Sequence, residues 1–287
     1  MTTELSGGGS GTSGPAAPPV AMTVAGTDSG GSAGLACDLK TFHNCGVHGV
    51  FAVTAVTVQN SLGVSGVHPI PPETVAAQID AVASDIGVGA AKTGMLASAE
   101  IIRAVAAAFQ RNGIGRGLAS PLVIDPVAAS MHGDPLLRED ALDAIRDLLF
   151  PVATLVTPNL DEVRLLTGIT VSDRRSAERA ARALYEFGPE SVLVKGGHLA
   201  NDPRSTDLLF DGETFTELPA ERIDTPHTHG GGDSLGAATT AALAKGEALV
   251  DAVRAGKRYV TCAVATAYPL GAGVGPVGHF WRLSDGG

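Results

Sequence analysis

The sequence predicts an α/β fold in which helices cover both faces of a mainly parallel sheet. From Val20 onward, short apolar or β-branched runs alternate with amphipathic stretches of helical period. Polar or glycine-rich clusters follow several of these runs, as at Gly26, Gln59 and Asn159. Strands that alternate with helices form parallel sheets, because parallel neighbours need crossover connections. Ligands bind beyond the carboxyl ends of such strands, so we expect the polar clusters to meet in one cleft.

Six segments are predicted to be strands because they are short, apolar and rich in β-branched residues. The run 50–58 contains threonines that suit a buried strand, and it is too short to span a bilayer. The six segments are residues 20–25, 50–58, 122–125, 154–157, 192–195 and 207–210.

Six stretches are predicted to be helices because their apolar residues recur on one face. In the second of them Ser98 can cap the first turn, and the apolar face extends from Ile101 to Phe109. The six stretches are residues 72–84, 98–111, 136–149, 176–187, 234–245 and 247–268.

Composition is consistent with one folded domain and excludes several kinds of partner. With 287 residues, 44% of them hydrophobic and 17% charged, the chain can bury a full core. Residues 1–19 are expected to form a flexible tail because residues 7–19 are rich in Gly, Ser, Pro and Ala, and residues 20–287 to form a single domain. The net charge of −10 argues against a nucleic-acid surface. No segment is expected to enter a membrane.

The cysteines indicate a reducing environment. Cys37, Cys45 and Cys262 are odd in number and scattered, so neither a disulfide framework nor a zinc site is predicted. We therefore expect reduced thiols in a cytoplasmic protein.

The most informative stretch places three glycines and a carboxylate before an Ala-rich segment. Gly230, Gly231 and Gly232 leave room for converging amides, and the helix predicted at 234–245 would favour an anion at its start. Asp233 could accept a proton from an alcohol that approaches this anion, which predicts phosphoryl transfer to a hydroxyl. An ordinary turn in which Asp233 caps the helix explains these residues alone equally well.

The pattern Asp-Thr-x-x-x-x-Gly-x-Gly-Asp, which runs from Asp224 to Asp233, resembles the C-terminal signature of the ribokinase-like small-molecule kinases. This resemblance implies a three-layer fold, an anion hole formed by the glycine loop, and Asp233 as the base. Other stretches closely resemble the bacterial hydroxymethylpyrimidine and phosphomethylpyrimidine kinases of thiamine synthesis, from about Val20 to Trp281. These stretches are residues 25–42, 54–60, 92–96, 157–160, 195–198 and 275–277.

The resemblance implies two successive ATP-dependent phosphorylations, of 4-amino-5-hydroxymethyl-2-methylpyrimidine and of its monophosphate. It assigns five residues to the pyrimidine pocket. Gln59 offers a donor and an acceptor, which can pair with an exocyclic amine and a ring nitrogen. Asp38 could instead cap a helix or lie on its solvated surface, and Met95 could be simple core packing. The five residues are Gly26, Asp38, Gln59, Met95 and Val127.

On the nucleotide side the resemblance implies that Lys195 and Asp125 lie near the ATP phosphates. It also implies that Asn159 and Glu162 organise water and Mg²⁺ there. Without the resemblance, Glu162 is an ordinary acid in the first turn of a helix.

Two departures from the family pattern leave alternatives open. The thiamine-pathway kinases usually carry Cys where this chain has Asp233, and Lys where it has Ala272. The first change is toward the ribokinase pattern and should preserve catalysis, whereas the second removes a cation that could neutralise phosphate charge. The alternatives are a pyridoxal or pyridoxine kinase, whose substrate also carries a hydroxymethyl group, and a non-catalytic pyrimidine-binding sensor. The resemblance also implies a homodimer.

Overall fold

A computed structural model describes residues 16–128, 139–197, 199 and 204–282. The expected tail therefore lies outside the described residues, apart from residues 16–19. His198, which belongs to the sequence cluster after the fifth predicted strand, also lies outside them. In the described part of the chain, no helix is long and apolar enough to cross a membrane.

A central sheet of eight strands organises the fold and confirms the predicted α/β class. The sheet order is β10-β9-β8-β7-β6-β5-β1-β2, and the strands from β8 to β2 pair in parallel. Within this described sheet, β9 is antiparallel to both of its neighbours, β8 and the edge strand β10. The ten strands of the described chain are β1 Val20–Ala25, β2 His48–Val53, β3 Ala55–Asn60, β4 Gly63–Pro69, β5 Ala90–Thr93, β6 Leu122–Ile124, β7 Leu155–Val156, β8 Val192–Val194, β9 Arg204–Phe210 and β10 Phe215–Glu221.

Helices cover both faces of the sheet, as the alternation of the sequence predicts. Apolar side chains of α2 to α6 pack on one face, whereas those of α1, α7 and α8 pack on the other. The helices are α1 Gly34–Asn44, α2 Pro72–Asp85, α3 Ala99–Arg111, α4 Glu139–Ala144, α5 Leu160–Thr167, α6 Arg174–Tyr185, α7 Gly231–Ala244 and α8 Leu249–Ala265.

The start of α3 agrees with the sequence prediction, whereas the helix predicted at 136–149 has an irregular end. The Ser98 side chain accepts a hydrogen bond from the Ile101 amide, so the predicted cap of α3 is confirmed. The helix predicted at 136–149 is described from Glu139 onward, and after α4 it widens into a π-helical turn, Ile145–Leu149. Residues 136–138 lie outside the described residues.

The prediction of one strand at 50–58 is wrong, because the chain changes sheets at Thr54. β2 ends at Val53, and β3 then pairs with β4 in a separate two-stranded hairpin. The Thr54 hydroxyl donates to the Met95 carbonyl at 2.6 Å, and its amide donates to Ala25. These bonds fix the point where the chain leaves the central sheet. The hairpin consequently stands over the ends of the parallel strands.

Candidate active site

A cavity of about 900 Å³ lies at the carboxyl ends of the parallel strands, between the hairpin and the start of α7. Within the described chain, its wall contains every predicted site residue except Asp38. These residues are Gly26, Gln59, Met95, Asp125, Val127, Asn159, Glu162, Lys195, Gly230, Gly231, Gly232 and Asp233. The predicted convergence of strand ends on one cleft agrees with this arrangement, while the role of each residue remains a prediction.

The glycine loop forms the first turn of α7. Gly230 is the N-cap in a left-handed conformation with φ of +82°, and a Cβ there would collide with the Ser32 carbonyl. The Gly231 amide donates to the Thr228 carbonyl at 3.0 Å. The next amides, those of Gly232 and Asp233, have no acceptor within the helix by its geometry. They are therefore the amides of this turn best placed for an anion in the cavity.

Asp233 lies beside a buried ion pair that includes Asp38. Lys92 is fully buried and lies 2.8 Å and 2.9 Å from the two carboxylate oxygens of Asp38, and 4.0 Å from the Asp233 Oδ1 atom. Thr23 also donates to Asp38, at 2.6 Å. Burial raises the pKa of Asp38 to about 6, although Lys92 opposes this shift.

The placement of Asp38 differs from the sequence expectation of a pocket residue. Its carboxylate is fully buried and is not part of the cavity wall in the described structure. The reason is that Lys92 and Thr23 bind it behind the wall. Asp38 can therefore influence the cavity through Lys92, which lies between it and Asp233.

The turn after β1, which packs against the glycine loop, is organised by Asp28, a residue that the sequence analysis did not assign. Its carboxylate accepts the amides of Gly30, Ser32 and Ala33 at 2.8 to 2.9 Å. Although burial opposes the shift, these bonds and His229 hold the pKa of Asp28 below its usual value. The available signal was its position in the turn after β1, where a short acid commonly binds the backbone.

Gln59 reaches from β3 toward the glycine loop. Its Nε2 atom lies 3.3 Å from the Nε2 atom of His229, and its Oε1 atom lies 3.3 Å from the Thr57 hydroxyl. The same atom of His229 lies 3.4 Å from the Asp28 carboxylate. The amide that the resemblance assigns to the pyrimidine is thus held by neighbouring side chains rather than free in the cavity.

Gly26 is required by the close approach of Met95. A Cβ at Gly26 would lie 2.6 Å from the terminal methyl group of Met95, which is 9% exposed. Because β1 ends directly before this glycine, the thioether can fill the space beside the strand end. The pair forms an apolar part of the cavity floor.

A second cluster of charges lines the cavity at the ends of β6, β7 and β8. Lys195 lies 3.1 Å from Asp125, and both side chains are largely buried. Asn159 and Glu162 form a capping box at the start of α5, in which the Asn159 amide donates to Glu162 at 2.7 Å. Glu162 also accepts the Ala128 amide at 3.3 Å. The spacing of Asn159 and Glu162 thus has a structural role in the helix start.

Two carboxylates of this cluster, those of Asp125 and Glu162, could contribute to a Mg²⁺ site. Burial raises the pKa of Glu162 to about 7 although Lys195 opposes this shift, so a further cation beside it would be favourable. Asp125 lines the same part of the cavity. Mg²⁺ keeps several waters and needs one or two carboxylates together with substrate phosphates. The described residues contain no group of three or more His, Cys, Asp or Glu side chains around one metal position.

The raised pKa of Glu162 predicts a pH dependence of stability. Between about pH 4.5 and 7 the folded protein holds a proton that the unfolded chain has lost, so this contribution to stability is full below pH 4.5 and is lost as the pH rises through 7. Wild-type protein should therefore lose stability relative to Glu162→Gln between pH 5 and pH 8. Urea unfolding at both pH values measures this difference. Equal stability changes for the two proteins would contradict it.

A third ion pair, which the sequence analysis did not assign, binds the backbone of the residue after Lys195. Asp207 binds Lys257 at 2.9 Å with one oxygen and accepts the Gly196 amide at 2.9 Å with the other. Both charged residues are buried and line the cavity. An acid in the apolar strand predicted at 207–210 was the available signal, because a buried charge needs a partner. The pair fixes the backbone that follows Lys195.

The C-terminal loop closes the cavity against the tip of the hairpin. The amides of Gly273 and Val274 donate to the side chain and carbonyl of Ser61, at 3.2 Å and 3.1 Å. Gly275 binds the loop before α7 through His227. Ala272, where the resembling kinases carry Lys, is exposed in this loop.

Comparison with known proteins identifies relatives across nearly the whole chain. A family model described as phosphomethylpyrimidine kinase matches residues 28–278. A hydroxymethylpyrimidine/phosphomethylpyrimidine kinase from Mycobacterium tuberculosis is 55% identical over 267 residues, which cover 93% of this chain and 96% of that protein.

Two solved structures show the same relationship in three dimensions. The pyridoxal kinase from Staphylococcus aureus in complex with AMP-PCP and pyridoxal gives a TM-score of 0.83 at 32% identity, covering 92% of this chain and 94% of that chain. A phosphomethylpyrimidine kinase from Clostridium difficile 630 gives a TM-score of 0.73 at 34% identity, covering 84% of this chain and 97% of that chain. The similarity therefore extends over most of the chain in sequence and in three dimensions.

Proposed function

This chain belongs to the phosphomethylpyrimidine kinase family and is a phosphotransferase, and we propose that it phosphorylates 4-amino-5-hydroxymethyl-2-methylpyrimidine and then its monophosphate in thiamine biosynthesis. ATP is the phosphoryl donor, which the AMP-PCP complex of the related pyridoxal kinase supports. The observation that carries the proposal is the position of Asp233. Its carboxylate lies in the cavity wall, in the same helical turn as the amides available for an anion.

Different residues of the cavity carry out different parts of the reaction. Asp233 accepts the proton of the hydroxymethyl group and orients its oxygen toward the transferring phosphoryl group. The Gly232 and Asp233 amides and the Lys195 ammonium group stabilise the charge of that group. Gln59 binds the ring. Because phosphoryl transfer has a loose transition state, positioning and charge stabilisation contribute most of the catalysis.

Mg²⁺ would be held by Asp125 and Glu162, in part through water, and would neutralise charge on the ATP phosphates. Lys195 lies 3.1 Å from Asp125 and supplies the fixed cation of this region. The exposed apolar side chains Val56 and Val58 of the hairpin fit the proposal of a homodimer. The free thiols of Cys37, Cys45 and Cys262 fit the proposal of a cytoplasmic enzyme.

Pyridoxal kinase is the second candidate function, because the related Staphylococcus aureus structure holds pyridoxal in the same fold. The higher identity to the Mycobacterium tuberculosis pyrimidine kinase favours the pyrimidine. A coupled assay of ADP release with the free pyrimidine tests the proposed function. Pyrimidine-dependent release is expected, whereas binding of the pyrimidine without release would support a non-catalytic sensor.

Replacing Gln59 by Leu should weaken the pyrimidine selectively. The ring's polar atoms would lose their partners at a cost of about 1–3 kcal/mol each, while ATP affinity should barely change. Calorimetric titration with the pyrimidine and with AMP-PCP measures both effects. Gln110→Leu, a matched change at an exposed position of α3, should alter neither affinity. Equal losses for both ligands in Gln59→Leu would show that Gln59 is structural.

Ala272→Lys should accelerate the second phosphorylation more than the first. The second acceptor is an anionic monophosphate, and a lysine at the exposed Ala272 would add a cation to the C-terminal loop that closes the cavity. Chromatography of the monophosphate and diphosphate over time measures the two rates. Ala272→Gln, which lengthens the side chain without charge, is the control. Equal acceleration of both steps would place the missing charge at ATP instead.

A further inference from the structure

The Nε2 atom of His229 faces two polar groups at once. It lies 3.4 Å from the Asp28 carboxylate and 3.3 Å from the end of the Gln59 amide. An ionised carboxylate can accept hydrogen bonds but cannot donate them. Three backbone amides hold Asp28 in this ionised form. The Nε2 atom of His229 must therefore carry a proton. The amide atom of Gln59 that faces it must then be an acceptor, because two donors would repel each other.

The other end of the Gln59 amide leads to the same orientation. The Thr57 hydroxyl has one hydrogen, and its shorter contact is the 2.8 Å bond to the Thr27 carbonyl. Its lone pairs are left for the Gln59 amide, 3.3 Å away, which must donate there. Both neighbours are satisfied when Oε1 faces His229 and the NH₂ group faces Thr57. The oxygen and nitrogen of a side-chain amide are told apart by such networks and not by shape. The Gln59 amide is therefore assigned in this orientation.

We propose that His229 is a specificity-determining residue, which fixes the order of acceptor and donor that Gln59 presents to the substrate ring. This inference rests on the proposed function. His229 directly precedes the glycine loop, so the ring edge next to the reactive hydroxymethyl group would meet Oε1, and the following ring position would meet the NH₂ group. In the aminopyrimidine, the exocyclic amine is next to the reactive hydroxymethyl group, and a ring nitrogen follows it. The amine therefore meets Oε1, and the ring nitrogen meets the NH₂ group.

Pyridoxal lacks this order of groups. The two ring carbons beside its reactive hydroxymethyl group carry a hydrogen and an aldehyde, and neither can donate to Oε1. A site built around a fixed acceptor discriminates strongly against a ligand that leaves the acceptor without a partner. If Gln59 could rotate freely, its amide would adapt to either ring, and this discrimination would be lost. His229 thus acts on the substrate through Gln59.

A double-mutant cycle tests whether His229 acts through Gln59. His229→Leu should raise the Kd of the aminopyrimidine about tenfold in the wild-type background, but less than about twofold in the Gln59→Leu background. The Kd of pyridoxal should fall, because the released Gln59 amide can adapt to that ring, whereas the Kd of AMP-PCP should stay unchanged. His229→Gln keeps an N–H donor and should restore most of the affinity. The Asn side chain is too short to reach Gln59, so His229→Asn should have the same effect as His229→Leu. It replaces His229→Leu in the cycle if His229→Leu does not fold.

Each remaining outcome is decisive. Equal losses in the two backgrounds, or parallel losses for AMP-PCP, would show that His229 only supports the glycine loop, and would overturn the inference. If wild-type protein turned over the pyrimidine while this coupling was absent, the proposed function would stand without the inference. If wild-type protein neither bound nor phosphorylated the pyrimidine, both would be rejected.

Discussion

Asp233→Asn is expected to lower turnover about a hundredfold or more, the range for loss of a positioned general base. The amide keeps the size and the helix position of the carboxylate but cannot accept the proton. Fold and ATP affinity should be nearly unchanged, because Lys92 keeps its pair with Asp38. Steady-state rates of ADP release, together with calorimetric titration of AMP-PCP, measure the two effects.

The controls separate a base from a helix cap. Asp251→Asn makes the same change in the first turn of α8, at an exposed residue, and should leave turnover unchanged. Asp233→Cys introduces the residue of the thiamine-pathway kinases and should retain part of the activity. Wild-type turnover in Asp233→Asn would remove this carboxylate from the mechanism.

Lys92→Met is expected to destabilise the fold by about 3–5 kcal/mol at neutral pH, because it leaves a buried carboxylate without its partner. Lys92 and Asp38 are both fully buried and lie 2.8 Å apart. Burial already raises the pKa of Asp38 to about 6 with Lys92 present. A carboxyl group whose pKa is raised by folding stabilises the protein at low pH and loses that contribution as the pH rises. The defect should therefore be smallest at acidic pH.

Urea unfolding at pH 5 and pH 8 measures the defect and its pH dependence. The double variant Asp38→Asn/Lys92→Met removes both charges and should lose less stability than Lys92→Met alone. Lys245→Met, which replaces an exposed lysine, should have little effect. A loss below about 1 kcal/mol in Lys92→Met would show that the pair is replaceable by simple packing.

The parallel sheet could be predicted from the sequence because its central strands are short apolar runs between amphipathic helices. β5 was missed because Lys92 interrupts its apolar pattern. A lysine is expected in such a strand only when its partner is known, and Asp38 lies 54 residues away in the chain. The same pair explains why Asp38 was assigned to the pocket and is instead buried behind it. Long-range ion pairs of this kind leave no periodic signal in one sequence.

The hairpin shows a second limit of sequence reasoning. The run 50–58 reads as one strand, yet a side-chain bond from Thr54 to the Met95 backbone diverts the chain out of the central sheet. The resemblance implies that Gln59 binds the ring, and its donor and acceptor fit that prediction. The orientation of its amide could not be predicted from the sequence, because it depends on His229, 170 residues away, and on Asp28 beyond it.

The kcat/KM of wild-type protein for the free pyrimidine, measured in competition with pyridoxal under saturating ATP and Mg²⁺, tests the central claim most directly. We predict that the pyrimidine is favoured at least about tenfold, the discrimination expected when one buried acceptor loses its partner. We also predict that diphosphate appears after the monophosphate. A preference for pyridoxal, or no phosphorylated pyrimidine at all, would contradict the account.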